Sequence, residues 1–183
     1  DKAYVYKAFP YSGAVINNLI SLFFNKAITE INEEDFDCFI KEAREYISKE
    51  TKIGFFIEDN NEYFVSDENL MHRINILNIP LNIKRGEVFM AGIRYLCGKS
   101  KKIIYELEEI TGVKAEVIAI GGGTRNKLFM KEKARILKRN LYINKIEEAV
   151  TLGAALLGGI GAGIFSDYGK AVANINRKKT KVL

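Results

Sequence analysis

Residues 116–130, Glu-Val-Ile-Ala-Ile-Gly-Gly-Gly-Thr-Arg-Asn-Lys-Leu-Phe-Met, decide how this chain is read. Val117, Ile118, Ala119 and Ile120 form a short unbroken apolar run, the pattern of a buried strand. Gly121, Gly122 and Gly123 follow at once, and from Lys127 the spacing becomes helical. Such a strand–glycine–helix junction is a candidate anion cradle. Glycines let backbone approach a phosphate with no Cβ in the way. The start of a helix adds unpaired N–H groups and the positive end of its dipole. A glycine turn that merely joins a strand to a helix has the same appearance, and the three glycines alone leave that alternative open.

Two common nucleotide motifs fit poorly. A dinucleotide fold requires GxGxxG with a small residue at the helix start, whereas GGGTRN carries Asn126 at that position. The phosphate-binding loop of nucleoside triphosphatases closes on Gly-Lys-Ser/Thr, which is absent here.

Outward from this junction, Leu141 to Asn144 reads as a short strand, Glu147 to Phe165 as a glycine-punctuated helix and Asp167 to Asn174 as a last short helix. Upstream, Tyr4 to Phe9 alternates like a strand and stops at Pro10, and Ser12 to Phe24 has helical spacing. Asn32 and Asp35 introduce a second amphipathic helix, with Phe36, Phe39, Ile40, Ala43 and Ile47 on one face, ending near Ser48. Ile53 to Ile57 and Ile74 to Ile79 are strand-like, flanking a polar loop around a brief Tyr63-Phe64-Val65 strand. A long helix from Arg85 to Ile110 closes at Thr111-Gly112. Strands alternating with helices imply an α/β fold with a partly parallel sheet. No internal repeat, low-complexity linker or second domain boundary is evident.

Composition narrows the function classes. With 183 residues, 48% hydrophobic and 28% charged, the chain suffices for one globular domain. No apolar run reaches the roughly 18–20 residues of a membrane span. The best candidate, Leu152 to Phe165, contains Gly153, Gly158, Gly159, Gly161 and Gly163. His72 is the sole histidine, so a multi-His metal site cannot be built from this sequence. Cys38 and Cys97 are far apart and outside any CxxC pattern, as expected of reduced thiols in the cytoplasm. The net charge of +5 is concentrated in Arg125 to Arg139 and in a tail, Arg177, Lys178, Lys179 and Lys181, read as a solvated, frayed end. Aromatic–basic interleaving and zinc patterns are missing, which argues against a nucleic-acid partner.

The run IAIGGGTRNKLFM, then KARIL, then EEAVTLGAALLGGIGAGIF, resembles the C-terminal signature of FGGY-type carbohydrate kinases. That signature is a strand, three glycines, two variable residues, Asn, an aromatic three residues later, then Glu, Leu-Gly-Ala-Ala and a glycine-spaced helix. Here these fall on Gly121 to Gly123, Asn126, Phe129, Glu148, Leu152 to Ala155, and Gly161/Gly163. Upstream, Tyr4 to Phe24 and Lys84 to Glu109 are similar more loosely, and residues 50–80 hardly at all.

The resemblance implies a ribonuclease H-like, actin-like ATPase domain, incomplete at its N-terminal side, with residues 1–183 forming the C-terminal nucleotide-binding part of a two-domain sugar kinase. It implies ATP and nucleotide-borne Mg²⁺, and a sugar or polyol acceptor bound mainly by a domain outside this chain. By position, Gly121 would shape the turn, Gly122 and Gly123 would offer backbone to phosphate, and Asn126 would meet the adenine end. Ala154, Ala155, Gly158 and Gly161 would pack a helix closely behind the site. The family's Asp base lies upstream of the strand with which this chain begins, so no catalytic residue and no protein metal ligand is assigned here. Asp35, Asp37, Asp59, Asp67 and Asp167 read as caps or surface charges, and the chain alone is expected to be inactive. Missing strands would leave an exposed sheet edge, open to the rest of the parent chain or to self-association. Lys131 and Arg135 depart from the family pattern and, with Lys127, form a positive stripe, read as a solvated face. These departures keep open a degenerate, non-catalytic nucleotide-sensing or association domain.

Overall fold

Phe89, fully buried, organises the first half of the chain in the computed structural model. The structure describes residues 5–9, 12–58, 73–144, 146, 148–173, 175 and 179–182. Contacts group it into two compact units, Asp1–Val113 and Lys114–Leu183. The boundary coincides with the change from mainly helical patterning to strand–glycine–helix patterning, although sequence inspection marks no domain border there.

The first unit contains α1 (Ser12–Phe24), α2 (Glu33–Arg44), β1 (Gly54–Glu58), β2 (Arg73–Leu77) and α3 (Arg85–Thr111). Val15, Leu19 and Ile20 of α1 and Phe39 and Ala43 of α2 are buried, as are Val88, Phe89, Met90, Ile93, Leu96 and Cys97 of α3. Phe89 meets Phe39 at 4.3 Å between ring centroids, and Phe23 edge-on at 5.4 Å. The three helices therefore share one aromatic centre, for which apolar burial is the main driving force.

Local chemistry fixes where these helices start and stop. Asp35 N donates to Asn32 Oδ1 at 3.1 Å while Asn32 N donates to Asp35 Oδ2 at 3.0 Å, a reciprocal cap for α2. Lys26 Nζ clamps the same carboxylate at 2.7 and 2.9 Å. The predicted end of α2 near Ser48 moves back to Arg44 because tighter bonds take over: Tyr46 N donates to Ala43 O and Ile47 N to Arg44 O. Arg94 of α3 then donates to the carbonyls of Tyr46, Ile47 and Lys49 at 3.1, 3.0 and 2.9 Å, satisfying the exposed acceptors of that turn. α3 closes as predicted, on Gly112 at φ 67°.

β1 and β2 pair antiparallel, Phe55 opposite Ile76 and Ile57 opposite Ile74. Phe55 packs on Tyr95, whose hydroxyl accepts from Ile57 N at 3.2 Å. The predicted strand at Tyr63–Val65 falls outside the described residues. The strand predicted over Tyr4–Phe9 is not formed: residues 5–9 have no regular structure and Val5 and Tyr6 are exposed. Alternation alone cannot make a strand without a ladder partner, and none pairs with it among the described residues.

The second unit contains β3 (Val117–Ala119), α4 (Lys127–Leu137), β4 (Leu141–Asn144), α5 (Ala149–Gly161), α6 (Tyr168–Ala173) and β5 (Lys179–Lys181). β3 and β4 are parallel, and α4 supplies the crossover that a parallel pair needs. Leu128, Phe129, Met130, Leu137 and Leu141 are buried and form its core. Sheet order is β3-β4-β5, so β3 has a neighbour on one side only among the described residues, and Ile118 and Ile120 are exposed. This matches the expected open edge.

Two expectations about this unit are corrected. The basic tail is not simply frayed, since Lys179–Lys181 adds an antiparallel strand to β4. In α5, Ala154, Ala155, Gly158 and Gly161 are exposed rather than closely packed. The close contact falls instead on Gly159, where a Cβ would come within 2.8 Å of the Phe165 ring, because the chain folds back after Gly163 at φ 74°.

The packing yields a stability prediction. A Cβ at buried Gly86 would approach Glu42 O to 2.5 Å, backbone that cannot swing away, whereas one at Gly98 on the same helix meets nothing within 4 Å. Denaturant melts should show Gly86→Ala destabilised by roughly 1–2 kcal/mol and Gly98→Ala stabilised by about 0.5–1 kcal/mol. Equal stability of Gly86→Ala and wild type would refute the close α2–α3 approach.

A second prediction follows from Asp35. Its carboxyl is held below the usual aspartate range, first by the Lys26 ammonium and then by Asn32 N–H. A folded-state value below the unfolded one means that the unfolded chain binds more protons in that interval, so stability falls with falling pH. In melts across pH 7 to 3, the advantage of wild type over Asp35→Asn should be full at neutral pH. It should shrink as pH falls below the unfolded value of about 3.9 and through the folded one. A pH-independent difference would contradict the pairing.

Candidate functional site

The glycine turn is built in three steps. β3 delivers the chain through Ile120 to Gly121, whose φ of 82° and ψ of −179° belong to a region that residues with a Cβ avoid. Residues Gly122–Arg125 then coil as a short 3-10 helix, with Thr124 N and Thr124 Oγ1 both donating to Gly121 O, at 3.0 and 2.8 Å. Asn126 finally caps α4: its Oδ1 accepts from Phe129 N at 2.9 Å. The glycines thus lead into α4 through an intervening turn rather than opening it directly.

An open cleft of about 370 Å³ lies against this turn, lined by Gly121, Gly122, Thr124, Arg125, Ile143, Asn144 and Thr180. It sits at the carboxyl ends of the parallel strands β3 and β4, where open α/β sheets bind ligands. A Cβ at Gly122 or Gly123 would meet nothing within 4 Å, and neither residue has positive φ. Packing and backbone conformation therefore require glycine only at Gly121. A Cβ at either of the next two positions would meet open space, and Gly122 itself lines the cleft.

Of the four residues singled out from sequence, Gly121 and Gly122 line the cleft, while Gly123 lies within the turn and Asn126 at the cap of α4, neither of them among the lining residues. Thr124, Ile143, Asn144 and Thr180 were not recognised. Thr124 is adjacent to the glycines and Asn144 ends the next strand, so position could have suggested them; Thr180 carries no local signal at all. Arg125 places an exposed cation at the rim.

The positive stripe is partly internal chemistry. Lys127, Lys131 and Arg135 are exposed on α4. Arg135 nevertheless holds the buried Glu132 with two hydrogen bonds of 2.8 and 2.5 Å, so its departure from the family pattern coincides with a buried carboxylate that needs a partner. Among the acids, Asp35 caps α2 and pairs with Lys26, and Asp37 is exposed. Asp167 accepts from Lys170 N at 2.9 Å, and this bond, with Ser166, holds its carboxyl below the usual range. Asp59 and Asp67 lie outside the described residues. Among the described residues no three His, Cys, Asp or Glu side chains gather to hold a metal, and no helix is long and apolar enough to cross a membrane.

Comparison with known proteins gives this geometry a family. Against L-fuculokinase of Escherichia coli O157:H7 the chain is 34% identical over 99 residues, 54% of this chain and 21% of that protein. Against glycerol kinase of Francisella tularensis subsp. holarctica it is 27% identical over 96 residues, 52% of this chain and 19% of that protein. The chain thus spans about a fifth of the curated relatives it matches. Among solved structures, xylulose kinase from Rhodospirillum rubrum superposes with a TM-score of 0.61 at 20% identity, covering 92% of this chain and 33% of that one. Plasmodium falciparum glycerol kinase with ADP gives a TM-score of 0.52 at 22% identity, over 76% of this chain and 29% of that one. These likenesses show the fold to be that of the actin-like, ribonuclease H-like kinases. With residues 2–162 matching the family's C-terminal domain and the glycine cleft lying within that span, this chain belongs to the FGGY family of carbohydrate kinases.

Proposed function

We propose that this chain is the C-terminal nucleotide-binding part of a two-domain kinase that transfers the γ-phosphate of ATP to a sugar or polyol hydroxyl. The observation that carries the reading is the cleft against Gly121 and Gly122, with a second glycine that neither packing nor backbone torsion requires. Family membership supports a nucleotide as the ligand, as does a similarly folded glycerol kinase solved with ADP. Gly122 and Gly123 in the turn and Lys127 and Leu128 at the start of α4 would offer backbone N–H groups near the end of the sheet, the N–H groups of Thr124 and Phe129 being already engaged within the protein; preorganised donors of this kind are what phosphoryl transfer depends on.

Within this reading Gly122 and Gly123 give backbone to the phosphates, Gly121 sets the direction of the turn, and Asn126 faces the adenine end while capping α4. Mg²⁺ would arrive with the nucleotide, since this ion dehydrates reluctantly and is held mainly by phosphate and water oxygens; bound there, it would neutralise phosphate charge. The acceptor's general base and most of its contacts belong to a domain outside this chain, so the chain by itself does not phosphorylate.

The test is ADP binding by the complete polypeptide that carries this chain, measured by calorimetry for wild type and Gly122→Val. A Cβ at this position meets no protein atom within 4 Å, so melting should be nearly unchanged, whereas affinity should fall at least about tenfold as the side chain holds phosphate away from the backbone donors. Undiminished ADP affinity in Gly122→Val would remove the cleft from the proposal. Asn126→Ala is a poor substitute, because losing the cap costs about 0.5–2 kcal/mol of stability in its own right.

A further inference from the structure

The residues matching the family end at 162, and β5 lies beyond them. We propose that β5 is a wall of the nucleotide cleft and that the Thr180 hydroxyl donates a hydrogen bond to a phosphate oxygen bound there. The inference rests on the nucleotide reading above and adds to it a residue outside the family's shared segment.

Strand polarity makes the first argument. β3 and β4 are parallel, so their carboxyl ends lie together, where the glycine turn departs. β5 is antiparallel, with Lys179 opposite Asn144 and Thr180 opposite Ile143. Its beginning therefore stands beside the carboxyl end of β4, at the ligand end of the sheet. The chain entering β5 reads Arg177-Lys178-Lys179, so the sequence leading to this point is strongly basic, as suits an anion.

Alternation along the strand makes the second. Thr180 shares a cross-strand row with Ile143 and Ala119, and it lines the cleft with Gly121, Gly122 and Thr124. Lys179 and Thr180 point to opposite faces of the sheet. On its own face Lys179 passes over the Tyr142 ring, 4.8 Å from the centroid, and pairs with Glu116. That strap holds β5 against the sheet without occupying the cleft.

The third argument is donor accounting. The other threonine of the cleft, Thr124, already gives its hydroxyl proton to Gly121 O. Among the described residues no hydrogen bond engages the Thr180 hydroxyl. It is exposed, beside two glycines that leave space for a ligand.

Calorimetry on the complete polypeptide, with ADP and with adenosine, tests the assignment using Thr180→Val and Thr180→Ser. Valine keeps the shape and strand preference of threonine and removes only the hydroxyl. ADP affinity should fall about tenfold in Thr180→Val, the scale of one hydrogen bond to a charged group. Adenosine affinity should not change, and Thr180→Ser should bind ADP like wild type. If wild type itself fails to bind ADP, the nucleotide reading of the cleft is wrong and this inference goes with it. If wild type binds and Thr180→Val binds equally well, only the role of Thr180 is overturned. Equal weakening for ADP and adenosine would also overturn it, because a phosphate contact cannot act on a ligand that lacks phosphate.

Discussion

Gly121 must turn the chain through φ 82° in a single residue, and the whole cleft depends on that turn. A Cβ at this position would oppose the torsion. The strand would then continue past the point where its carboxyl end should open to a ligand. Because the turn is made at once, the Gly121 carbonyl is left facing Thr124, which bonds it twice, and the following residues coil tightly enough to leave space above Gly122. One backbone torsion therefore sets the floor of the cleft. Thr124 locks it, and Asn126 starts α4 at a fixed distance beyond it.

The two units solve different physical problems. The first is stabilised by an aromatic centre in which Phe89 touches Phe39 and Phe23, with the helix ends satisfied by a reciprocal Asn32–Asp35 cap and by Arg94 on three carbonyls. The second has a small core under a short parallel pair, and leaves apolar surface on α5 and on β3. Among the described residues β3 pairs on one side only, and the open side presents backbone groups to which another strand can bond. Buried charge is handled locally. Glu132 would be costly in the core of the second unit without Arg135 one turn away, which explains why that position of α4 carries a guanidinium.

Much of the architecture is legible because local signals are strong and agree with one another. Asn32 with Asp35 announces α2, Gly112 ends α3, and the spacing of Val15, Leu19, Phe39 and Phe89 gives the buried helix faces. β4 falls where its apolar residues place it. Errors arise where a partner at a distance decides. Tyr4–Phe9 has strand alternation, yet residues 5–9 join no ladder among the described residues, and α2 yields its last turn to Arg94, which lies some fifty residues away. The tail reads as frayed because three charged-rich residues have no strand signal of their own, yet the open edge of β4 accepts them.

The sequence by itself determined the family and the glycine junction, because each is a matter of which residues stand next to which. It also determined that Gly121 can turn as it does, since conformational freedom belongs to the residue. Only the tertiary structure decided that Gly122 faces open space while Gly159 packs on Phe165, and that α5 leaves Ala154 and Gly158 exposed. It alone brought Thr180 within the same cleft as Gly121, because strand pairing joins residues whose separation along the chain carries no local signal.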